Sequence, residues 1–239
     1  MRTAAIVPAA GRGERLGPGT PKALRDLGGQ PLLVHAVRAL SIARAVGLVV
    51  VAAPQAELAA VRSLLSPAVG DTELLVVAGG RTRQESVSLA LAVLPADVDV
   101  VLVHDAARPL APAELADAVS AAVRAGADAV VPGIPVADTV KQVDTAGRVE
   151  RTLDRSRLRA VQTPQGFARE VLVAAHRAAA DAAADESEAA TDDAGLVERI
   201  GGTVLVVGGS EEAFKVTRPI DLVLAEAVLA RRRAAGVTG

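Results

Sequence analysis

Cysteine, tryptophan and tyrosine are absent from this chain of 239 residues, and aromatic residues make up only 1% of it. The absence of cysteine excludes disulfides, thiolate metal sites and cysteine nucleophiles. Because aromatic side chains are so scarce, alanine, valine and leucine must fill the core, and the hydrophobic fraction of 51% is ample for that. The length predicts a single domain over residues 1–239.

The chain also lacks a strong net charge and any long apolar run. A formal net charge of −2 gives no global electrostatic case for nucleic acid or for an anionic membrane as a partner. No apolar run approaches the roughly 18 to 20 residues of a membrane span. The first apolar run is too short for a secretory signal peptide. We therefore expect a cytoplasmic protein that binds neither nucleic acid nor membrane.

Strand-like and helix-like segments alternate along most of the sequence. Such alternation predicts an α/β fold, a doubly wound, mostly parallel and Rossmann-like sheet with helices on both faces. The apolar runs predict strands at 4–7, 47–54, 73–78, 98–103, 129–132 and 203–207. Helical periodicity predicts helices at 31–43, 56–65, 81–94, 112–125, 168–184, 193–200 and 219–233.

The rhythm changes at residues 135–166, which are polar and rich in Thr, Val and Arg. The sequence Asp144-Thr145-Ala146-Gly147 is a hairpin signal within this segment. We predict that 135–166 forms a β-arm projecting from the sheet. Because an isolated hairpin is marginally stable in water, we expect the β-arm to pack on a second copy and form a homodimer.

A glycine-rich loop follows the first predicted strand. Small residues from Pro8 to Gly13 let the backbone approach a ligand, and two cations, Arg15 and Lys22, follow them. Backbone N–H groups and fixed cations predict a polyphosphate cradle. The loop lacks the P-loop pattern, and Leu16 stands where a dinucleotide motif needs its third glycine. The alternative is a strand-to-helix turn with solvated charges.

Polar residues follow two other predicted strands, at the edge of the sheet where ligands bind in open α/β folds. Gly80, Arg83 and Ser86 come after the third strand, and Asp105 comes after the fourth. A lone carboxylate facing a phosphate loop is a natural ligand for Mg²⁺ or another hard divalent cation. The alternative is that Asp105 caps the next helix or pairs with Arg108.

A second group of candidate residues lies further along the chain. Lys215 stands between two apolar residues, which favours an ammonium that faces the cleft over a solvated one. For Thr191 and Asp192, an N-cap role is as good an interpretation as a functional one. The other candidates are Thr139, Arg155 and Thr163. The three histidines form no metal site, and no Ser-His-Asp arrangement is present.

A positively lined cleft with one metal carboxylate suits in-line displacement at phosphorus, where a protein supplies position and charge stabilisation. Eight segments in conserved order resemble the 2-C-methyl-D-erythritol 4-phosphate cytidylyltransferase family of the non-mevalonate isoprenoid pathway. The resemblance covers residues 4–228, and the segments are PAAGRGERLGPGTPKAL, AGGRTRQESV, VLVHDAARPL, PVADTVK, TLDR, QTPQGF, TDDAGLVE and FKVTRPIDL.

The resemblance implies a nucleotidyltransferase fold with a dimerising arm, and a reaction that transfers CMP from CTP to methylerythritol phosphate with release of pyrophosphate. It implies that Arg15, Lys22 and Lys215 act on the reacting phosphates and that Asp105 holds Mg²⁺ beside the substrate. It further implies a CTP-binding set of Pro8, Ala9, Ala10, Gly11, Gly13, Gly80, Arg83 and Ser86. The residues it implies for methylerythritol phosphate are Arg108, Thr139, Arg155, Thr163 and Thr191, some of them from the partner's arm.

Two residues depart from the family pattern. Arg81 stands where some relatives carry an acidic residue, and Asp193 replaces the commoner Glu. Alternatives remain at this point. The acceptor could be another polyol phosphate such as ribitol 5-phosphate, and a sugar-1-phosphate nucleotidyltransferase fits the arm motifs less well. A regulatory subunit that only binds nucleotide would not need the four groups Arg15, Lys22, Asp105 and Lys215 together.

Overall fold

The computed structural model describes residues 2–11, 21–181 and 192–236. Strands and helices alternate through most of them, as predicted. The strands are β1 (Arg2–Pro8), β2 (Asp26–Leu27), β3 (Gln30–Pro31), β4 (Val46–Ala53), β5 (Glu73–Ala78), β6 (Val98–Val103), β7 (Ala129–Pro135), β8 (Lys141–Val143), β9 (Val149–Thr152), β10 (Arg159–Val161), β11 (Gln165–Ala168) and β12 (Val204–Gly208). The α-helices are α1 (Leu32–Ser41), α2 (Leu58–Leu65), α3 (Arg83–Ala92), α4 (Ala113–Arg124), α5 (Arg169–Asp181), α6 (Asp193–Arg199) and α7 (Pro219–Ala234).

Eight of these strands form one mixed sheet with helices on both faces. Strands β5, β4, β1 and β6 pair in parallel in that order. Strand β11 then runs antiparallel to both β6 and β7, and β7 also pairs with β10 and β12. The alternating side chains of each central strand enter two separate cores. One core packs against α1, α2 and α4, and the other against α3, α5 and α6. This is the doubly wound α/β fold that the sequence predicts.

Local sequence signals fix where several helices begin and end. The Thr82 side chain caps α3 by accepting a hydrogen bond from the Glu85 N–H, and Asp192 caps α6 in the same way at Gly195. Helix α4 is followed by Gly126, whose φ of +108° only glycine adopts without strain. In the part of the chain that the structure describes, every helix is too short or too polar to cross a membrane.

The predicted β-arm is correct in its hairpin and wrong in its extent. Strands β8 and β9 form a separate two-stranded sheet, here called the arm hairpin (Lys141–Thr152). In contrast, β10 and β11 lie in the main sheet, and Gln165 and Gly166 are buried. Strands β10 and β11 therefore belong to the main sheet and not to a projecting arm, and residues 162–166 are buried. The single domain and the use of the arm in dimerisation stay predictions.

Candidate functional site

A cavity of about 230 Å³ lies beyond the carboxyl ends of β1 and β6. Open α/β sheets bind ligands at this edge, because side chains and helix N-termini converge there. The cavity brings together residues that are far apart in sequence. Its lining is Pro8, Ala9, Ala10, Gly11, Lys22, Ala23, Arg83, Ser86, Asp105, Ala106, Ala107 and Lys215.

Small residues form one wall, where the loop after β1 touches the loop after β5. The Ala9 N–H donates to the Ala52 carbonyl at 2.7 Å, and the Gly79 N–H donates to the Ala53 carbonyl at 2.8 Å. A Cβ atom at Gly79 would lie 2.5 Å from that of Ala10. The close approach of the two loops therefore requires glycine at 79.

Ser86 closes the loop that leads into α3. Its Oγ donates to the Thr82 carbonyl at 2.9 Å and accepts from the Gly80 N–H at 3.1 Å. A Cβ at Gly80 would lie 2.2 Å from the Glu85 Cγ, so this position also excludes a side chain. Gly80 supports the wall of the cavity through Ser86 and is not part of its lining.

Asp105 is held in place by its backbone and by the histidine before it. The Asp105 N–H donates to Thr163 Oγ1 at 3.0 Å, and the Thr163 hydroxyl lies 3.0 Å from His104 Nδ1. His104 Nε2 lies 3.2 Å from the Arg108 carbonyl, which can only accept, so Nε2 carries the proton. Burial lowers the pKa of His104 to about 4, which keeps the imidazole neutral.

Two cations flank the Asp105 carboxylate inside the cavity. Its Oδ1 lies 3.2 Å from Arg83 Nε, and its Oδ2 lies 2.7 Å from Lys215 Nζ. Burial alone would raise the pKa of Asp105. The charges of Arg83 and Lys215 outweigh burial and hold that pKa well below its usual range. Asp105 is therefore an anion throughout the neutral pH range, and it does not pair with the Arg108 guanidinium.

The two predicted catalytic lysines of the described chain both reach the cavity, from different elements. Lys22 starts a short 3₁₀ helix, residues Lys22–Leu24, after the glycine-rich loop. Lys215 lies before Val216, whose N–H donates to the Ala107 carbonyl at 2.8 Å. That bond ties the segment of Lys215 to the loop of Asp105. The Lys215 side chain remains 38% exposed, so a ligand can reach its ammonium.

Arg83 extends the charged contacts away from the cavity and into the core. Its Nη1 lies 2.6 Å from Asp193 Oδ2, and Asp193 Oδ1 lies 2.9 Å from His176 Nε2. Burial would lower the pKa of Arg83, but the two carboxylates outweigh burial and raise that pKa. Burial would likewise raise the pKa of Asp193, yet the hydrogen bond from His176 and the charge of Arg83 lower it. The sequence motif placed Arg83 near the nucleotide but gave no hint of this bridge.

Arg108 and Thr163 lie behind the cavity and not in its lining. The Arg108 Nη1 donates to the Ala213 carbonyl at 2.6 Å, and Nη2 donates to the Val161 carbonyl at 3.2 Å. Thr163 is 4% exposed, and its hydroxyl is engaged by Asp105 and His104. In this structure both residues brace the loops around Asp105.

The remaining predicted site residues are on the arm or outside the described ranges. Thr139 and Arg155 flank the arm hairpin and are exposed, and Arg155 Nη1 donates to the Ala137 carbonyl. The structure does not bring either residue into the cavity. Gly13, Arg15 and Thr191 lie outside the described residues.

The described residues contain no cluster of three or more His, Asp or Glu side chains that would form a protein-only metal cage. Asp105 alone fits a different kind of metal site. Mg²⁺ is commonly held by one or two carboxylates together with the phosphates of a substrate. Although each Asp105 oxygen has a cationic neighbour, each also keeps a further lone pair. The residues present therefore fit a hard divalent cation that arrives with a polyphosphate.

The contact between Asp193 and His176 behind Arg83 was not predicted from the sequence. The sequence marks Asp193 only as a departure from a family pattern, and His176 only as one of three histidines that form no metal site. In the structure both are buried. A usable signal was present, because His176 lies four residues after the buried Leu172 and therefore on the inward face of α5.

The site can bind an anion and stabilise developing charge, but it offers no activated nucleophile among the described residues. Ser86 is 2% exposed, and its hydroxyl donates to the Thr82 carbonyl and accepts from the Gly80 N–H. Lys22 and Lys215 instead place two positive charges in the lining of a cavity that has one wall of small residues. Such a site suits transfer between two phosphorylated reactants.

Comparisons with known proteins agree with that chemistry. The family model described as 2-C-methyl-D-erythritol 4-phosphate cytidylyltransferase matches residues 3–231. The protein of that name from Streptomyces avermitilis is 60% identical over 240 residues, covering 97% of this chain and 93% of its own. That from Saccharopolyspora erythraea is 55% identical, covering 96% of this chain and 100% of its own.

Solved structures extend the likeness to the fold. The 4-diphosphocytidyl-2C-methyl-D-erythritol synthase of Anaerococcus prevotii superposes with a TM-score of 0.82 at 27% identity, covering 96% of this chain and 99% of that one. The cytidylyltransferase of Thermus thermophilus gives a TM-score of 0.75 at 37% identity, covering 97% and 100%. Sequence and fold both match these proteins over nearly the whole chain, which belongs to the 2-C-methyl-D-erythritol 4-phosphate cytidylyltransferase family of nucleotidyltransferases.

Proposed function

We propose that this protein transfers CMP from CTP to 2-C-methyl-D-erythritol 4-phosphate, giving 4-diphosphocytidyl-2-C-methyl-D-erythritol and pyrophosphate. The observation that carries the proposal is the convergence of Lys22, Lys215 and Asp105 around a cavity with a wall of small residues. Membership of the family supplies the identity of the two substrates.

In the proposed reaction, a phosphate oxygen of methylerythritol phosphate attacks the α-phosphorus of CTP. The new bond joins that oxygen to the α-phosphorus, and the bond from the α-phosphorus to the bridging oxygen of the β-phosphate breaks. The electron pair of the broken bond leaves with pyrophosphate. No covalent bond to the protein forms, so catalysis rests on position and charge stabilisation.

Both reactants are anions, and the protein must offset their repulsion. Lys22 and Lys215 supply positive charge where the reacting phosphates meet, and Arg15 is proposed to act with them. Lys215 is held by Asp105 at 2.7 Å, so its ammonium is oriented before the nucleotide arrives. Preorganised charge of this kind avoids the cost of reordering dipoles during the reaction.

Asp105 is the proposed ligand of Mg²⁺ or another hard divalent cation. When bound, such a cation would offset the charge of the triphosphate. The lowered pKa of Asp105 supports the role, because a metal ligand must be ionised. The loop from Pro8 to Gly13, together with Gly80, Arg83 and Ser86, is the proposed CTP-binding set.

The acceptor half of the site is proposed to need a second protomer. Thr139 and Arg155 are exposed on the arm, away from the cavity, as acceptor-binding residues from a partner's arm would be. Val143 and Val149 pair across the arm hairpin and are 51% and 58% exposed, which supports a homodimer through the arm. Arg108, Thr163 and Thr191 complete the proposed set of acceptor-binding residues.

The protein is further proposed to work in the cytoplasm and to bind neither nucleic acid nor membrane.

The test is pyrophosphate release with CTP and Mg²⁺, comparing methylerythritol phosphate with ribitol 5-phosphate in parallel. We expect a strong preference for methylerythritol phosphate. A preference for ribitol 5-phosphate would keep the chemistry and change the substrate. Binding of CTP without release from either acceptor would overturn the proposal in favour of a protein that only binds nucleotide.

A further inference from the structure

A chain of five side chains leads from the cavity into the core between α5 and α6. Lys215 contacts Asp105, Asp105 contacts Arg83, Arg83 contacts Asp193, and Asp193 contacts His176. Charge alternates along the first four groups, and each link lies between 2.6 and 3.2 Å. Asp193 and His176 are 1% and 4% exposed, so they cannot touch a substrate themselves.

Arg83 is held more firmly from the core than from the cavity. Its contact with Asp193 is 2.6 Å long, against 3.2 Å for its contact with Asp105. Asp193 lies in the first turn of α6, and His176 further fixes its carboxylate. A buried ion pair needs such support, since each charge has lost its water. Asp193 therefore anchors the Arg83 guanidinium, and Arg83 in turn contacts Asp105.

His176 has one identifiable task in this arrangement. Its Nε2 faces the Asp193 carboxylate, which can only accept, so Nε2 carries a proton and donates it. Its Nδ1 is buried and has no hydrogen-bond partner within the described residues. A buried polar atom without a partner costs free energy, so an apolar residue would suit α5 better if only packing mattered.

We propose that Asp193 is a positioning residue for nucleotide binding, which acts through Arg83 to hold Asp105 and Lys215 in the arrangement that receives CTP. His176 supports it by fixing the Asp193 carboxylate. The inference rests on the proposed function, because it takes the cavity as the CTP site. It adds two residues, neither of which lines the cavity.

The experiment measures the Kd for CTP in the presence of Mg²⁺, by calorimetry on the full chain. Asp193→Asn keeps the shape of the side chain and removes the charge that anchors Arg83. We expect the Kd to rise at least about fivefold, the lower end of typical coupling between linked groups. A loss of folded protein would lower the number of binding sites and leave the Kd unchanged, so the Kd separates positioning from stability.

A matched pair at His176 refines the test. The amide nitrogen of Gln reaches about as far as the histidine Nε2, so His176→Gln keeps the donor, whereas His176→Leu removes it at similar volume. We expect His176→Leu to raise the Kd in the same direction as Asp193→Asn, and His176→Gln to stay within about twofold of the parent protein. Equal effects of the two substitutions would show that packing matters and the donor does not, and would overturn the supporting role of His176.

The route through Asp105 is tested in the Asp105→Asn background. If Asp193 acts through Arg83 on that carboxylate, adding Asp193→Asn should change the Kd by less than about twofold. The same fivefold rise in both backgrounds would overturn the route, and an unchanged Kd in Asp193→Asn alone would overturn the inference. Failure of the parent protein to bind CTP would instead contradict the proposed function, so the two failures are distinguishable.

Discussion

The cavity and the arm hairpin differ in how much of their structure a single protomer supplies. Around Asp105, the charged groups are buried or partly buried, and Asp105 itself has partners at its backbone (Thr163) and at its carboxylate (Arg83 and Lys215). Along the arm, no residue from 136 to 158 is buried, and side chains bond mainly to one another. The proposed nucleotide half of the site is therefore preorganised by the fold of one protomer, whereas the acceptor half is proposed to draw on a second protomer.

The largest effect is expected at the cavity. Lys22→Ala should lower kcat at least about 100-fold, the scale for losing one preorganised electrostatic donor. Steady-state pyrophosphate release measures it. Lys141→Ala is the matched control, because that lysine is exposed on the arm hairpin and bonds to Thr152. Turnover of Lys22→Ala within about threefold of the parent protein would remove Lys22 from the proposed mechanism.

A charge placed on the arm should break the proposed dimer. Val149→Asp would bury a carboxylate against the partner, at a cost of several kcal/mol, so the dimer Kd should rise by at least about 100-fold. Light scattering over a dilution series measures the change. Val149→Thr, a neutral residue of similar size, is the control and should shift the Kd far less. A Val149→Asp protein that stays dimeric at the same dilution as its parent would contradict the arm interface.

Substitution of Arg155 should affect the acceptor and leave the nucleotide alone. Arg155→Ala should raise the KM for methylerythritol phosphate about tenfold, since a hydrogen bond to a charged group contributes about 1.5 to 3 kcal/mol. Initial rates at saturating CTP measure it. Arg151→Ala is the control, because Arg151 lies on the neighbouring arm hairpin and donates to Gln142. Equal KM changes in both variants would mean that general arm charge, and not Arg155, binds the acceptor.

The smallest effect concerns the buried imidazole behind Asp105. His104 has a pKa of about 4 in the folded protein, below its value of about 6.5 when unfolded. Between these two values, the unfolded chain binds a proton at His104 and the folded chain does not. The contribution of neutral His104 to the free energy of unfolding is therefore full above pH 6.5 and is lost as the pH falls towards 4. When the pH is lowered from 6 to 5, the free energy of unfolding should fall by about 1.2 kcal/mol more in the parent protein than in His104→Asn. Urea titrations at pH 5 and pH 6 measure the free energy of unfolding. An equal change between the two pH values in the parent protein and in His104→Asn would contradict a neutral, buried His104.

The sequence predicts most of the fold because the signals for its core are local. The runs at 73–78 and 98–103 become β5 and β6 with the predicted bounds, since short runs of β-branched and apolar residues favour a strand. The prediction that the projecting arm extends to residue 166 was wrong, because β11 lies between β6 and β7 and pairs antiparallel with both. Pairing between strands distant in sequence leaves no short-range signal in a segment such as 159–166.

The candidate site divides in the same way. Sequence motifs predicted Lys22, Asp105 and Lys215 as members of one site, and all three line the cavity. No motif could place Thr163 under Asp105 or Asp193 behind Arg83, because those contacts join elements 58 and 110 residues apart in sequence. Arg108 stays a predicted acceptor ligand, and the sequence did not indicate that its guanidinium donates to two carbonyls of neighbouring loops.

The most direct test of the difference between cavity and arm is the Kd for CTP with Mg²⁺ in the double variant Thr139→Val/Arg155→Ala, measured by calorimetry beside the parent protein. If the fold of one protomer completes the nucleotide half, the Kd should stay within about twofold of the parent value, because substitutions at uncoupled sites leave each other's free energies unchanged. A Kd that rises tenfold or more would contradict the account, since it would mean that the arm takes part in holding the nucleotide itself.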